Sequence, residues 1–298
     1  MGAQFWWFYD VIVAAAILVC MFITIKRGIM KAAVSFVGFA LALVIAFSLS
    51  SSLSDSLYSM AVRKSNIKKM DQSLEEDDYM DSLARYIENL GYNVSVDRGQ
   101  LENICFSGED IDTKLYTYVN NINGRKVDEE SAFLNKLYEG YASIISGVIS
   151  KQLSQYSAEY AAEMIRTNPG QFSRFMPLLK DPDTKRPAAE FIVDNYLAKP
   201  YISQIKLIVL IMMLIFFVII TIFIETAAGK NNHMEPSIIT HTISGLIGLL
   251  KGVVVVVIIT VMIRLYVVLG SNKMLFFNHE AIEKTWVFKY FYNFIKDM

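Results

Sequence analysis

The sequence predicts an all-α protein with four transmembrane helices and a helical extramembrane domain. Its 298 residues are 54% hydrophobic and 19% charged, and the mean hydropathy of +0.36 lies above that of most soluble domains of this size. The apolar residues are also concentrated in four stretches, each about as long as a helix that crosses a hydrocarbon core of roughly 30 Å. These observations argue against a purely soluble enzyme.

The four apolar stretches divide the chain into membrane and polar parts. They cover residues 5–25, 32–49, 207–224 and about 244–269. The predicted domains are spans one and two in 1–50, a polar insert in 51–203, spans three and four in 204–270, and an aromatic amphipathic tail in 271–298. A cleaved signal peptide is the alternative for the first stretch, but this stretch lacks a basic n-region and contains Asp10.

The short turn between the first two spans sets the predicted orientation. It contains Lys26, Arg27, Gly28 and Lys31, and no acid. By the positive-inside rule this turn is cytoplasmic, which places the N-terminus, the insert and the tail on the extracytoplasmic side. The loop at about 225–243, with Lys230 as its one full cation, adds little to this assignment.

The insert is acidic and its patterns are helical. Residues 52–203 hold 17 Lys/Arg and 23 Asp/Glu, a net charge of -6. An amphipathic pattern at about 129–166 predicts one long helix. Its apolar stripe fits packing inside a helical bundle, with a partner-binding surface as the alternative. The tail combines aromatic residues with lysines, which is typical of a helix in the headgroup region; docking onto the insert is the other interpretation.

Small residues at four-residue steps predict close packing between spans. Such residues let two backbones approach each other where lipid supplies no hydrophobic force between helices. The second span carries Gly38, Ala42 and Ala46, and the fourth carries Ser244, Gly248 and Gly252.

Charged residues within the spans predict two interhelical pairs. A charge at membrane depth is costly and usually finds a partner. In the proposed topology Asp10 lies at the same side as Arg264, and Glu225 lies at the same side as Lys251, so we predict these two pairs. The alternative is that Lys251 and Arg264 snorkel to their nearer interfaces.

Several function classes are disfavoured by the composition. A net charge of -1 offers no basic surplus for nucleic acid. Two cysteines and three histidines show no metal-ligand spacing, so no metal or cofactor is expected. Ser35 and Thr221 are predicted to have no His or Lys base at matching depth, and we therefore expect that the chain is not an enzyme.

The order of these motifs resembles the colicin V production protein (CvpA) family of bacterial inner-membrane proteins. The resemblance covers residues 8–49 and about 205–269. It rests on the following features: Asp10 at the start of the first span, Lys26-Arg27-Gly28 in the turn, Ser35 and Gly38 in the second span, and residues 245–252, GLIGLLKG, at the start of the fourth. The chain differs from the family in the long insert between the second and third spans, and in having Thr240-His241 where members carry an Asp-Arg pair.

The resemblance implies a place and a class of function. Members are associated with colicin V production or secretion and with cell-envelope homeostasis, and no catalytic residues are established for them. We expect a multi-pass protein of the bacterial cell membrane whose partners are the lipid bilayer and membrane or envelope proteins, with a homo-oligomer left open. The alternative is a membrane-anchored sensor or scaffold whose extracytoplasmic domain binds a protein or an envelope component.

Overall fold

The computed structural model describes residues 5–27, 29–228, 237–269 and 279–296, and within these ranges the chain is helical with no strand. The first two helices are α1, Trp7–Arg27, and α2, Ile29–Leu57. The insert contains α3 Arg63–Glu76, α4 Tyr79–Glu88, α5 Arg98–Cys105, α6 Ile111–Asn123, α7 Glu130–Gln152, α8 Gln155–Thr167, α9 Pro169–Phe172 and α10 Arg186–Ile192. The last helices are α11 Ala198–Ala228, α12 Ile238–Leu269, α13 His279–Glu283 and α14 Phe288–Lys296.

The chain forms two compact units. Residues 1–56 and 203–298 make one, the membrane unit, and residues 57–202 make the other, the insert unit. Within the described ranges four helices are long and apolar enough to cross a membrane, and they cover the four predicted stretches except for residues 5, 6 and 269. The predicted all-α class with four spans and further helices is thereby confirmed.

The spans of the membrane unit expose large apolar side chains along their length. Leu18, Val44, Met212 and Phe223 are among the side chains that are more than half exposed. In water such surface would be costly, whereas in lipid it is the surface that a helix presents to acyl chains. A small core joins α1, α12, α13 and α14; it consists of Tyr9, Val13, Val256, Ile263, Val267, Ala281, Ile282, Phe288 and Tyr292.

The insert unit has a large apolar core of its own. Helices α3, α4, α7, α8 and α10 contribute to it, and rings of Tyr79, Phe172 and Phe175 lie in mutual contact at its centre. The prediction of one long helix at about 129–166 is wrong, because the structure divides this segment into α7 and α8. Leu153 is extended, and Ser154 begins α8 by accepting a hydrogen bond from the Ser157 N–H at 3.2 Å. The two helices then pack against each other, and Leu137, Tyr141 and Ile145 from the predicted stripe are fully buried.

Candidate functional site

The fourth span packs on the first through its glycines. A Cβ atom built on Gly248 would lie 2.7 Å from the Met21 Cα, and one built on Gly252 would lie 2.7 Å from the Ile17 Cα. Positions 248 and 252 ascend α12 while 21 and 17 descend α1, so the two helices run antiparallel in a fixed register. Only glycine leaves room for backbone contact at these two positions. Ser244, on the same stripe, is buried, and its hydroxyl has no hydrogen-bond partner among the described residues.

The second span packs on the third at Gly38. A Cβ atom there would overlap the Thr221 side chain, whose hydroxyl donates to the Phe217 carbonyl at 2.8 Å. Ala42 and Ala46 follow on the same face and are buried. The small residues singled out on both spans therefore lie in buried or close-packed positions.

Lys251 faces the second span. Its ammonium donates to the Ser35 hydroxyl at 2.5 Å and lies 4.7 Å from the centre of the Phe39 ring. The predicted pair of Lys251 with Glu225 is wrong: the Glu225 carboxylate is buried and accepts from Arg27 at 2.6 Å. The long guanidinium at the end of α1 reaches the acid on α11, whereas Lys251 is turned toward the hydroxyl and the ring on α2.

The cations in the turn between α1 and α2 have different surroundings. Arg27 is half exposed while it pairs with Glu225. The Lys26 ammonium lies 4.2 Å from the centre of the Phe22 ring on its own helix, and Lys31 is partly buried at the start of α2. Gly28 lies outside the described residues.

Asp10 caps the last helix of the chain. Its carboxylate accepts from the backbone N–H groups of Trp286 at 2.8 Å and of Val287 and Phe288 at 3.0 Å each. The Thr285 hydroxyl oxygen accepts a hydrogen bond from the backbone N–H of Lys289 at 2.8 Å. The four N–H groups at the start of a helix have no partner within it, so this contact supplies acceptors that α14 lacks.

Because Asp10 is occupied in this way, the predicted pair of Asp10 with Arg264 is also wrong. Arg264 is buried and donates through Nη1 to the Tyr292 hydroxyl at 2.9 Å, with its guanidinium 5.5 Å from the Tyr292 ring centre. The tail therefore packs on α1 and α12 through α14. Helix α14 buries Phe288, Tyr292 and Ile295 and leaves Tyr290 and Phe294 exposed, and Trp286 just before it is also exposed. Residues 271–278 of the predicted tail lie outside the described residues.

The sequence predicts no His or Lys base at the depth of Ser35. The contact with Lys251 corrects this expectation, because it places an amine beside the Ser35 hydroxyl. Ser35 is 1% exposed and lies within α2. Backbone N–H groups inside a helix donate to the preceding turn, so none is free to stabilise an oxyanion there. The contact thus provides a polar link between α2 and α12, and the stabilising donors of an acyl-transfer site are not found around it in the described residues.

The insert unit has one half-buried carboxyl among hydroxyl groups. Asp112 accepts from Tyr141 at 3.0 Å and from Tyr138 and Ser173 at 3.3 Å each. Burial raises the pKa of Asp112, although these three hydrogen bonds act in the opposite direction. Burial also raises the pKa of the nearby Cys105 thiol to about 12, which keeps it protonated and unreactive at neutral pH. No group of three or more acidic, cysteine or histidine side chains suited to a metal occurs in the described part of the chain.

Comparison with known proteins gives no relative. No protein-family model matches the chain, and no curated protein or solved structure matches it either.

Proposed function

We propose that this chain is a CvpA-like integral membrane protein of the bacterial cell membrane. Its role is in production or export of a colicin V type toxin or in cell-envelope homeostasis, and it acts through membrane or envelope proteins as partners. The four-span core carries this role, and the chain has no catalytic centre of its own.

One observation carries the proposal: most of the described residues on which the resemblance rests join helices in the membrane unit. Asp10 caps α14, Arg27 pairs with Glu225 on α11, and Gly38 packs on Thr221. Ser35 accepts from Lys251, and the 245–252 segment lies on α1. These residues together assemble one structure from the spans, which supports the core as the functional element.

The proposal is tested by removing most of the insert. A variant lacking residues 60–195 is expressed in a strain without the gene, and we expect it to reach the membrane fraction and to restore the wild-type phenotype. The full-length Gly248→Leu variant, which disrupts the packing of α12 on α1, is expected to fail, and the matched Gly245→Ala variant is expected to restore.

The alternative, a membrane-anchored scaffold or sensor, is favoured by the independent core of the insert unit. It predicts the opposite result: a shortened variant that is present in the membrane but inactive. Affinity purification of the detergent-solubilised full chain, compared with the shortened variant, then identifies which partners depend on residues 60–195.

The proposed orientation is tested by labelling single cysteines. Cysteines are placed at Ser52 and Asn231 after Cys20 and Cys105 have been replaced. A membrane-impermeant maleimide applied to intact cells or spheroplasts is expected to label position 52 and not position 231. Labelling of position 231 from outside contradicts the orientation.

A further inference from the structure

A basic recess lies between four helices of the membrane unit. Helix α11 contributes Lys206, α12 contributes Arg264 and α14 contributes Lys296, and apolar side chains of Phe47, Leu207 and Leu210 complete most of its walls. The recess is small and open at its mouth, and its cavity volume is about 20 Å³. Three cations and no carboxylate line it in the part of the chain that the structure describes.

Arg264 is the cation whose position most requires an anion. It is 7% exposed, and among the described residues it forms no ion pair. Its one hydrogen bond there is to the Tyr292 hydroxyl, which leaves further N–H donors of the guanidinium for a ligand. A buried guanidinium without a counterion is costly, and a bound anion removes that cost.

Two further cations line the recess. Lys206 and Lys296 approach it from different helices, so their convergence is a tertiary arrangement that the spacing of the sequence does not produce. An anion in the recess would be attracted by all three basic side chains.

The position of the recess along the membrane spans indicates which anion it binds. Lys206 immediately precedes the apolar stretch 207–224, and Arg264 lies five residues before the end of the fourth span at about 269. Both cations are therefore near the ends of their spans, within reach of the phosphates of a bilayer, and Phe47, Leu207 and Leu210 offer apolar walls next to them. A ligand with an anionic head and an apolar body matches this lining.

We propose that the recess binds the phosphate of an anionic phospholipid, such as phosphatidylglycerol, with the start of an acyl chain against Phe47, Leu207 and Leu210. The net negative charge of this headgroup distinguishes it from zwitterionic lipids, whose own cation would face the three basic side chains. Arg264 and the two lysines hold the phosphate oxygens.

The test uses the purified full-length protein in a neutral detergent, and it measures the rise in the thermal unfolding temperature as phosphatidylglycerol is titrated. The Lys206→Gln/Lys296→Gln double variant is compared with Lys289→Gln, which removes a cation of α14 that does not line the recess. A lysine near an anionic headgroup is worth about a fivefold change in affinity. We therefore expect the double variant to need roughly 25-fold more lipid for the same rise, and Lys289→Gln to behave as the wild type.

Further arms separate the possible ligands. Phosphatidylcholine and millimolar inorganic phosphate are each titrated in place of phosphatidylglycerol, and we expect neither to stabilise the wild type. Equal responses of the wild type and the double variant overturn the site. Equal stabilisation by phosphatidylcholine overturns the charge selectivity, and stabilisation by inorganic phosphate alone assigns the recess to a free anion instead of a lipid. Native mass spectrometry of the wild type gives a readout that needs no variant: no preference for retained phosphatidylglycerol over phosphatidylcholine overturns the proposal.

Discussion

Replacing Gly248 with alanine tests whether α12 packs closely on α1 or whether the two helices only lie in the same membrane. A Cβ atom at this position would lie 2.7 Å from the Met21 Cα, 3.0 Å from the Thr24 Cβ and 3.1 Å from the Cys20 carbonyl oxygen. The nearest of these is a backbone atom, which cannot turn away as the end of a side chain can. Gly245, one turn earlier on α12, provides the matched control, because a Cβ there would meet only the Ile25 side chain, at 3.4 Å.

The expected magnitude follows from these distances. Ordinary contact begins at 3.4 Å, so α1 and α12 must separate by about 0.7 Å to admit the methyl group at Gly248. Overpacking of this kind costs about 1–3 kcal/mol. Gly245→Ala carries no such cost and removes the flexibility of a helical glycine, so it is expected to be neutral or to stabilise by up to about 1 kcal/mol.

The assay is unfolding of the purified proteins in mixed micelles, where increasing denaturing detergent gives a free energy of unfolding for each variant. Gly252→Ala is expected to match Gly248→Ala, because its Cβ meets the Ile17 Cα at the same 2.7 Å. The double variant should cost less than the two single costs together, since one outward shift of α1 relieves both overlaps. A Gly248→Ala value within about 0.5 kcal/mol of the Gly245→Ala value would refute the packing argument.

Three further predictions concern the tail and the insert. Asp10→Ala should destabilise α14 by about 1 kcal/mol, since it removes the acceptor of three N–H groups; trypsin should then cleave after Lys289 faster, while Glu283→Gln leaves the rate unchanged. The folded insert holds the Asp112 proton more tightly than the unfolded chain does, because burial raises the pKa of this carboxyl. The stability of the insert should therefore fall as pH rises from about 4 through the raised pKa. Asp112→Asn should reduce this dependence of stability on pH, as measured by amide hydrogen exchange of α6 and α7 across pH 4–7. In α7, Gly140→Ala should destabilise the insert by about 1–3 kcal/mol, because its Cβ would lie 2.5 Å from the Tyr86 ring. Gly147→Ala should stabilise it by about 0.5–1 kcal/mol, because nothing lies within 4 Å of its Cβ. Equal amide exchange rates in these two variants would contradict both predictions.

The spans could be predicted from the sequence because length and apolar content alone determine them. The small residues of the second and fourth spans could also be singled out, since their spacing places them on one helix face. The partners of the charged residues could not be predicted, because position along a span gives depth in the membrane but not the rotation of the helix. Lys251 and Glu225 lie near the same side, yet they turn toward α2 and α1.

The role of Asp10 was missed for a different reason: its partners are backbone N–H groups, which leave no mark in the residue types. The sequence holds one usable signal, Thr285 just before the aromatic segment 286–292, since threonine often begins a helix. The division between α7 and α8 carried a similar signal at Ser154. At Ser154, apolar periodicity alone concealed a helix boundary.

The contact of Asp10 with α14 bears on the order in which the chain is made. A ribosome releases the first span well before the residues that complete its surroundings, Gly248, Gly252 and the N–H groups of 286–288. Until synthesis reaches them, the first span has a carboxylate without donors and a face without its glycine partner. We therefore expect the first span to stay in contact with the translocon or a chaperone until residues 248–288 have emerged, and a stalled chain that ends before residue 248 is expected to be a substrate for membrane quality control.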